Sequence, residues 1–404
     1  MPTDPDAAGP LALKARTAVF LLGLCALLNI YSTQPLLPEL APDLNVPVGQ
    51  AAWTITPTTL GVAGMAPFAG SVSDFLGRKR VMVAAIGASL AATLACALAR
   101  DFTAMLVCRF AQGLFIPFVF AVAVSYVAEE CTGAAAQGAN ALYVSGTAFG
   151  GFCGRFLSGA AATHFGWRSS FVAMALVLLV TLAVTAAWLP RERRFRRSES
   201  LLASLQGIGR HFGNARLLGT CFIGAAILFL QVGSFTYAGM VLEAPPFELS
   251  SFEIGAVFAV FLVAVVVTPL TGRLIGRIGR LRTFVLVSVV SLAGLGLTLV
   301  PSTPAVIVGL AASSTGVFSG QACAIGYAAE AGGAAKSSAV GLYLTSYYAG
   351  GSIGAVAPSP LYTAAGWGAT VGLLAAVVGV SVLVALAAWS AGAGRPHRIE
   401  EPVS

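Results

Sequence analysis

Two arginines stand inside apolar runs where a charge is out of place. Arg155 lies near the end of "ALYVSGTAFGGFCGRF" (141–156), and Arg109 opens "RFAQG" (109–113). A guanidinium in hydrocarbon is costly, so it is expected to face protein or water and to have a partner. Three kinds of partner suit it: an acidic side chain such as Glu39, backbone carbonyls, or an anionic substrate. Structural pairing, gating, and contact with substrate or a coupling proton are all open for Arg109 and Arg155.

Coupling to protons usually needs a carboxylate whose pKa is raised by burial. No Asp or Glu stands centrally in an apolar run; the nearest are Glu39, Glu129, Glu130, Glu253 and Glu330, at the ends. Glu39 and Glu130 are the best-placed candidates for a coupling role. The three histidines, His164, His211 and His397, fall between runs, and nothing pairs a nucleophile with a base. No phosphate-cradling loop is present, which argues against an ATP-driven pump. Of the seven cysteines, Cys25, Cys96, Cys108, Cys153, Cys221 and Cys323 lie in apolar runs and Cys131 lies between two, without metal-ligand spacing. They read as small packing residues. The chain is therefore expected to be no enzyme and to hold no metal or cofactor.

The elements that position these residues follow from composition. Of 404 residues, 57% are hydrophobic and 10% charged, more apolar surface than one soluble core can bury. Apolar stretches of about 20 residues, enough to cross ~30 Å of hydrocarbon as a helix, recur twelve times. They fall at 17–38, 51–71, 80–99, 102–127, 138–160, 168–189, 216–241, 251–272, 282–300, 303–327, 338–361 and 367–390. The fold class is thus an all-α membrane protein with twelve transmembrane helices. Residues 1–16, with Lys14 and Arg16, resemble a signal-peptide n-region, but the stretch behind is too long and lacks a clear cleavage site, so it is read as helix one.

Lys and Arg favour cytoplasmic loops. With the N-terminus inside, 19 of the 23 fall on the cytoplasmic side, and both termini are expected there. The net charge of +7 then reflects topology. The run "RERRFRR" (191–197) reads as a loop near anionic lipid, and no nucleic-acid partner is expected.

The longest polar interruption, 190–215, divides the chain into 1–189 and 216–404, each with six stretches. An internal repeat supports the division. At an offset of 200, "ALYVSGTAFGGFCG" (141–154) lies on "GLYLTSYYAGGSIG" (341–354), and Gly166-Trp167 lies on Gly366-Trp367. Glu130 meets Glu330 at the same offset. A second echo aligns "GSVSDFLGRKR" (70–80) with "GRLIGRIGRLR" (272–282), with Gly276 where Asp74 would fall. Corresponding loops on one side mean two bundles of parallel topology, an arrangement that binds substrate between the halves near the midplane.

In the fifth stretch Gly146, Gly150 and Gly154 form a smooth stripe that lets helices approach closely. A second stripe, Asn140, Tyr143, Thr147, Gly151 and Arg155, is polar at helical spacing. Its counterpart in the eleventh stretch holds Tyr343, Tyr347 and Gly351, and both read as walls of a central cavity. Tyr343, Tyr347 and Tyr348 would offer aromatic faces to an amphipathic ligand. Further polar residues inside stretches are Asn29, Ser32, Thr33, Gln34, Gln112, Gln231, Thr236, Tyr237 and Gln321.

The chain resembles a major facilitator superfamily carrier over essentially its whole length. "GSVSDFLGRKR" matches the family's loop between helices two and three, and "RFAQG" its helix-four motif. "YSTQPLLPEL" (31–40), with the Gly-rich helix five, is similar to the bacterial YnfM-like, or acriflavine-sensitivity, branch. Phe75 stands where the family often has a basic residue, Gly150-Gly151 replaces a Gly-Pro pair, and Arg155 replaces a final glycine.

The resemblance implies an alternating-access carrier of a small molecule in the bacterial inner membrane, working as a monomer. Its leading reading is proton-coupled efflux of amphipathic or drug-like compounds; the alternative is a carrier for a small polar or anionic metabolite. It further implies that Asp74, Gly77 and Arg78 form a latch that contacts helix eleven in one state. Arg109 is favoured over Arg155 for coupling. Helices one, four, seven and ten line the family's cavity, which places Asn29, Thr33, Gln34, Gln112, Gln231, Tyr237 and Gln321 beside the substrate.

Overall fold

Backbone amides in hydrocarbon must be satisfied within the chain, so the apolar stretches have to form helices. The computed structural model describes residues 13–131, 133–192, 211–332 and 336–390, and among them there is no strand. The helices group into twelve rods. The first six are α1 (Leu13–Leu28), α2 (Thr56–Leu76), α3 (Arg78–Ala97), α4 (Phe102–Phe115, continuing as Pro117–Glu130), α5 (Gly133–Phe165) and α6 (Trp167–Trp188). The second six are α7 (Ala215–Glu243), α8 (Ser251–Val257, then Phe261–Ile278), α9 (Arg280–Leu297), α10 (Thr303–Ala331), α11 (Lys336–Val356) and α12 (Ser359–Ser390, bent at Gly366). Among the described residues, seven rods are long and apolar enough to cross a membrane by those criteria alone: α3, α4, α6, α7, α9, α10 and α12. Of the rest, α1 and α8 are interrupted, and α2, α5 and α11 are rich in glycine and hydroxyl residues.

The interruption of α1 supplies partners to both buried arginines. After Leu28 the chain leaves the helix through 29–33, tightens into a 3₁₀ turn at Gln34–Leu36 and re-forms a short helix at Leu37–Asp43. Pro35 and Pro38, which lack an amide hydrogen, prevent an uninterrupted ladder there. Helix α5 runs to Phe165, beyond the expected end near 160, because the small residues 159–163 continue it until Gly166 turns away at φ +77°. Arg155 is thus ten residues from the helix end, about 15 Å at 1.5 Å per residue, and deeper than expected.

Two pseudo-symmetric bundles result, α1–α6 and α7–α12, and the backbone repeats between them. Gly77 and Gly279 turn at φ +95° and +84° between the second and third rods of each half. Gly166 and Gly366 do so 200 residues apart at φ +77° and +73°, before Trp167 and Trp367. Within the first bundle the α5 glycines press on α1: a Cβ on Gly150 would lie 2.7 Å from both Cα and C of Leu24. In the second bundle a Cβ on Gly350 of α11 would likewise lie on the Ala225 backbone of α7. The two halves use one packing device twice.

The bundles meet along α2 against α11 and α5 against α8. Their cross-contacts gather toward the face where α1 ends. Thr59 Oγ1 and Ser352 Oγ are 2.6 Å apart, Thr56 Oγ1 donates to the Ser352 carbonyl at 3.0 Å, and Thr345 Oγ1 donates to the Ala63 carbonyl at 3.2 Å. On the other seam Ser251 Oγ donates to Glu39 at 2.7 Å, and the Phe252 amide donates to Thr163 Oγ1 at 3.1 Å. Gly255 brings the α8 backbone onto α5, where its Cβ would be 2.9 Å from the Arg155 carbonyl.

At the polar rim of that face Asp43 Oδ2 accepts from Trp167 Nε1 at 2.8 Å and from Arg168 Nη1 at 2.7 Å. The Trp167 bond first, and the Arg168 bond second, hold the Asp43 carboxyl below the usual carboxylate range. A lowered folded-state pKa gives stability that is present above the unfolded value, about 4, and is lost as the pH falls through the folded value. Acidification below pH ~4 is therefore expected to release the α1 tail from the start of α6. Tryptophan fluorescence should show a step there that is missing in Asp43→Asn; an identical titration in both proteins would rule the tie out.

Candidate functional site

Arg109 comes from the first half of α4, and its guanidinium is fully buried. Nε donates to the Thr54 carbonyl (3.0 Å), Nη1 to the Asn29 carbonyl (2.7 Å) and to Gln112 Oε1 (2.8 Å), and Nη2 to the Ile30 carbonyl (2.6 Å). These carbonyls lie at the interruption of α1 and just before α2, where no helical ladder serves them. Gln112 Nε2 and Asn29 Nδ2 both donate to Thr93 Oγ1, at 2.8 and 3.3 Å. Arg109, Gln112 and Asn29 therefore form a bracket that fixes the broken helix, with Asn29 Oδ1 unpartnered among the described residues. Of the three partners open to Arg109, backbone carbonyls prevail.

Arg155 has a different environment. Nε donates to Gln34 Oε1 at 2.7 Å and Nη1 to the Gly151 carbonyl at 2.5 Å. Gln34 Nε2 passes the chain on to Thr236 Oγ1 of α7 at 3.0 Å, crossing between the bundles. The guanidinium carbon stands 4.8 Å from the Tyr31 ring centroid, 4.6 Å from that of Phe258 and 4.8 Å from that of Phe261. Such contacts contribute roughly 0.5–2 kcal/mol each. Burial leaves Arg155 4% exposed, and among the described residues no carboxylate shares this site: Glu39, the acidic candidate, is bonded to Ser251.

The aromatic character continues toward the centre. Tyr343 and Tyr347 stack at 6.1 Å, Tyr347 meets Tyr348 edge-on at 5.4 Å, and Tyr348 meets Phe120 of α4 at 6.1 Å. Tyr31 joins the same buried cluster. Several polar atoms here have no hydrogen-bond partner among the described residues: the hydroxyls of Tyr31, Tyr343 and Thr33, and Gln231 Oε1. Such atoms are costly in a finished core, at about 1–3 kcal/mol each.

Other expected positions are placed apart from this centre or are at least partly satisfied. Tyr143 donates to the Phe120 carbonyl at 3.2 Å and Thr147 to its own helix at Val144. Tyr237 is spent within the second bundle, on the Ala355 carbonyl at 2.8 Å. Gln231 uses its Nε2 on Ser314 at 3.2 Å and keeps only its Oε1 for the centre, and Gln321 is half-buried on α10. The side chain of Asn140 lies outside the described residues.

At the opposite face Gly77 turns the chain so that Arg78 heads α3, with its guanidinium buried. It pairs with Asp74 and, at 3.2 and 2.5 Å, with both oxygens of Glu129 at the end of α4. Ser73 Oγ also accepts from it. In the second bundle Arg280 grips Glu330 through two bonds of 2.6 and 2.5 Å. The acid equivalent to Glu330 is thus Glu129, while Glu130, expected from the 200-residue offset, is its half-buried neighbour. The offset is 201 for the acids and 202 for the arginines, a slip that strict sequence alignment conceals. Among the described residues the ion-pair partners of Arg78 are Asp74 and Glu129, in its own bundle.

Tyr31, Phe258 and Phe261 escaped sequence reasoning as parts of the site. In an apolar sequence a phenylalanine facing a guanidinium looks like one facing lipid. Seven free cysteines and no cluster able to hold a metal ion are found among the described residues.

Comparison with known proteins adds the wider relationship. The family model for the Major Facilitator Superfamily matches residues 19–355. The chain is 27% identical to an uncharacterized MFS-type transporter, YybF, of Bacillus subtilis, over 95% of this chain and 94% of that protein. It is 28% identical to the inner membrane transport protein YnfM of Escherichia coli, over 93% and 90% of the two chains. Among solved structures it resembles the nucleoside transporter NupG (TM-score 0.73, 15% identity, 93% of this chain and 99% of that one). It also resembles the human organic anion transporter MFSD10 (TM-score 0.68, 18% identity, 95% and 100%). At such identities these two structures speak for the fold alone.

Proposed function

The chain belongs to the major facilitator superfamily and is a multi-pass membrane transporter, and from that premise we propose that it is a secondary active carrier working by alternating access on a small amphipathic molecule. The observation that supports this is closure that, among the described residues, lies on one side: two pseudo-symmetric bundles are sealed toward the end of α1 by Thr59–Ser352, Glu39–Ser251 and Gln34–Thr236. Beneath the seal lies a buried aromatic centre with unpartnered polar atoms. A rocking carrier needs such a seal, made of short polar contacts that can part on one side while they form on the other. With both termini cytoplasmic, in the inner membrane, the sealed face is the outer one and the conformation faces inward. Residues 1–189 and 216–404 then move against each other, with 190–215 as their cytoplasmic linker, and one copy suffices.

In this reading Asp74, Arg78 and Glu129 change partners during turnover, so that the pairing of Arg78 within its own bundle marks the inward-facing state. Proton-coupled efflux of drug-like compounds is one version, with Glu39 and Glu130 as coupling carboxylates. An anionic cargo is the other, favoured by a buried guanidinium at Arg155 without an acid. The test is transport by the purified protein in proteoliposomes, with a chemically diverse panel and an imposed pH jump. Saturable, protein-dependent flux of at least one compound is expected, and its response to the jump reports proton coupling. Complete absence of flux across the panel would reject the carrier reading.

A further inference from the structure

Arg109 and Arg155 are both buried, yet they spend their donors differently. Arg109 uses all three guanidinium nitrogens on acceptors. Arg155 uses Nε on Gln34 and Nη1 on the Gly151 carbonyl, and among the described residues Nη2 is bonded to nothing. Among the described residues no carboxylate answers its charge. Arg78 has Asp74 and Glu129, and Arg280 has Glu330, whereas the immediate neighbours of Arg155 are an amide, a carbonyl and the faces of three rings. One of those rings, Tyr31, carries a buried hydroxyl with no partner among the described residues.

We propose that Arg155 is the anion-binding residue of this carrier, taking the carboxylate of an amphipathic organic anion on its idle Nη2 edge, with the Tyr31 hydroxyl as second donor. The inference rests on the carrier reading above and adds the charge of the cargo and the residues that read it. A carboxylate supplies what the site lacks, a full negative charge and several lone pairs, and charge-assisted bonds of this kind are stronger than neutral ones. A cationic cargo would meet a fixed positive charge, and a neutral amide would leave that charge uncompensated. The surrounding rings suit an aromatic or otherwise apolar body on the same molecule.

The position also ties recognition to movement. Phe258 and Phe261 belong to the second bundle, and Gln34 bonds Thr236 across the same seam. An anion that draws the guanidinium toward itself competes with these cross-bundle contacts. It thereby binds the sealed and parted arrangements unequally, as any ligand that shifts such an equilibrium must.

The experiment uses the full-length protein, measuring binding in nanodiscs and flux in proteoliposomes. The probes are 1-naphthoate, the isosteric 1-naphthamide and the cation benzyltrimethylammonium. Naphthoate is expected to bind at least tenfold more tightly than naphthamide and to be the probe transported. Arg155→Gln should bring naphthoate down to the level of naphthamide, and Arg155→Lys should keep part of the preference. Tyr31→Phe, which keeps the ring and so the packing, should weaken naphthoate severalfold and leave naphthamide unchanged. Equal binding of acid and amide, transport of the cation in place of the acid, or full naphthoate preference in Arg155→Gln would overturn the anion assignment while leaving a carrier. No binding or flux of any of the three probes would overturn the anion assignment, and the carrier reading falls with it only where the diverse panel shows no flux either.

Discussion

Replacing Arg109 with alanine is expected to be among the most damaging single substitutions in the first bundle, lowering stability by about 3–5 kcal/mol. The loss does not come from a broken ion pair, because among the described residues Arg109 has no acid beside it. It comes from what stays behind: the carbonyls of Thr54 and Ile30 and the Oε1 of Gln112, each buried and without its donor, and the Asn29 carbonyl, left with the Ser32 hydroxyl at 3.2 Å. Two of these carbonyls belong to the interruption after Leu28, where the chain cannot recover them as helix bonds. Lysine should rescue only part of the loss, since three donors on one nitrogen cannot spread over four acceptors as a planar fork does. Thermal unfolding of the purified protein, followed by dye labelling of buried thiols such as Cys25 and Cys323, gives the readout. Arg168→Ala, at an exposed site where the arginine holds Asp43, the Ala99 carbonyl and the Trp167 ring, serves as the control and should shift unfolding little. Unfolding of Arg109→Ala at the same temperature as the control would sink the bracket.

That bracket marks the boundary of what the sequence could disclose. The twelve stretches, the two halves and the glycine stripe follow from apolar length and spacing, because bilayer thickness and helix geometry leave few alternatives. The partners of Arg109 were not legible, since a backbone carbonyl has no letter of its own. Its use depends on where a helix breaks, and the prolines near Gln34 hint at a break without saying which groups it frees. The counterpart of Glu330 was half legible: the repeat put an acid at the end of α4, but the offset of 200 picked Glu130, one residue beyond the Glu129 that Arg78 holds. Arg155 was visible as an anomaly from the start. Its setting was not, because Phe258 and Phe261 arrive from the other bundle, about a hundred residues away, and only tertiary packing brings them within 5 Å of the guanidinium carbon.

Gly150→Val is expected to match or exceed the effect of Arg109→Ala, by a route that no side-chain adjustment can relieve. Any Cβ at this position falls on the Leu24 backbone of α1, at 2.7 Å from Cα and C and closer still to O. Overpacking that flexible side chains absorb costs roughly 1–3 kcal/mol; here the obstacle is a helix backbone, so α1 and α5 must separate along their contact. Gly146 and Gly154 face the Phe20 and Leu28 carbonyls in the same way, so movement at Gly150 disturbs two further close approaches. Even Gly150→Ala should reduce the folded yield, although alanine is the better helix former by about 1 kcal/mol. Gly138→Ala, on the same helix with nothing within 4 Å of its Cβ, isolates that propensity term and should be neutral or mildly stabilising. The repeat supplies an independent check, since Gly350→Val presses on Ala225 as Gly150→Val presses on Leu24 and should fail to a similar degree. Size-exclusion chromatography of detergent-solubilised protein, with thermal unfolding of whatever folds, distinguishes the cases. If Gly150→Ala and Gly138→Ala behaved alike, the α1–α5 contact would have room that its backbone distances deny.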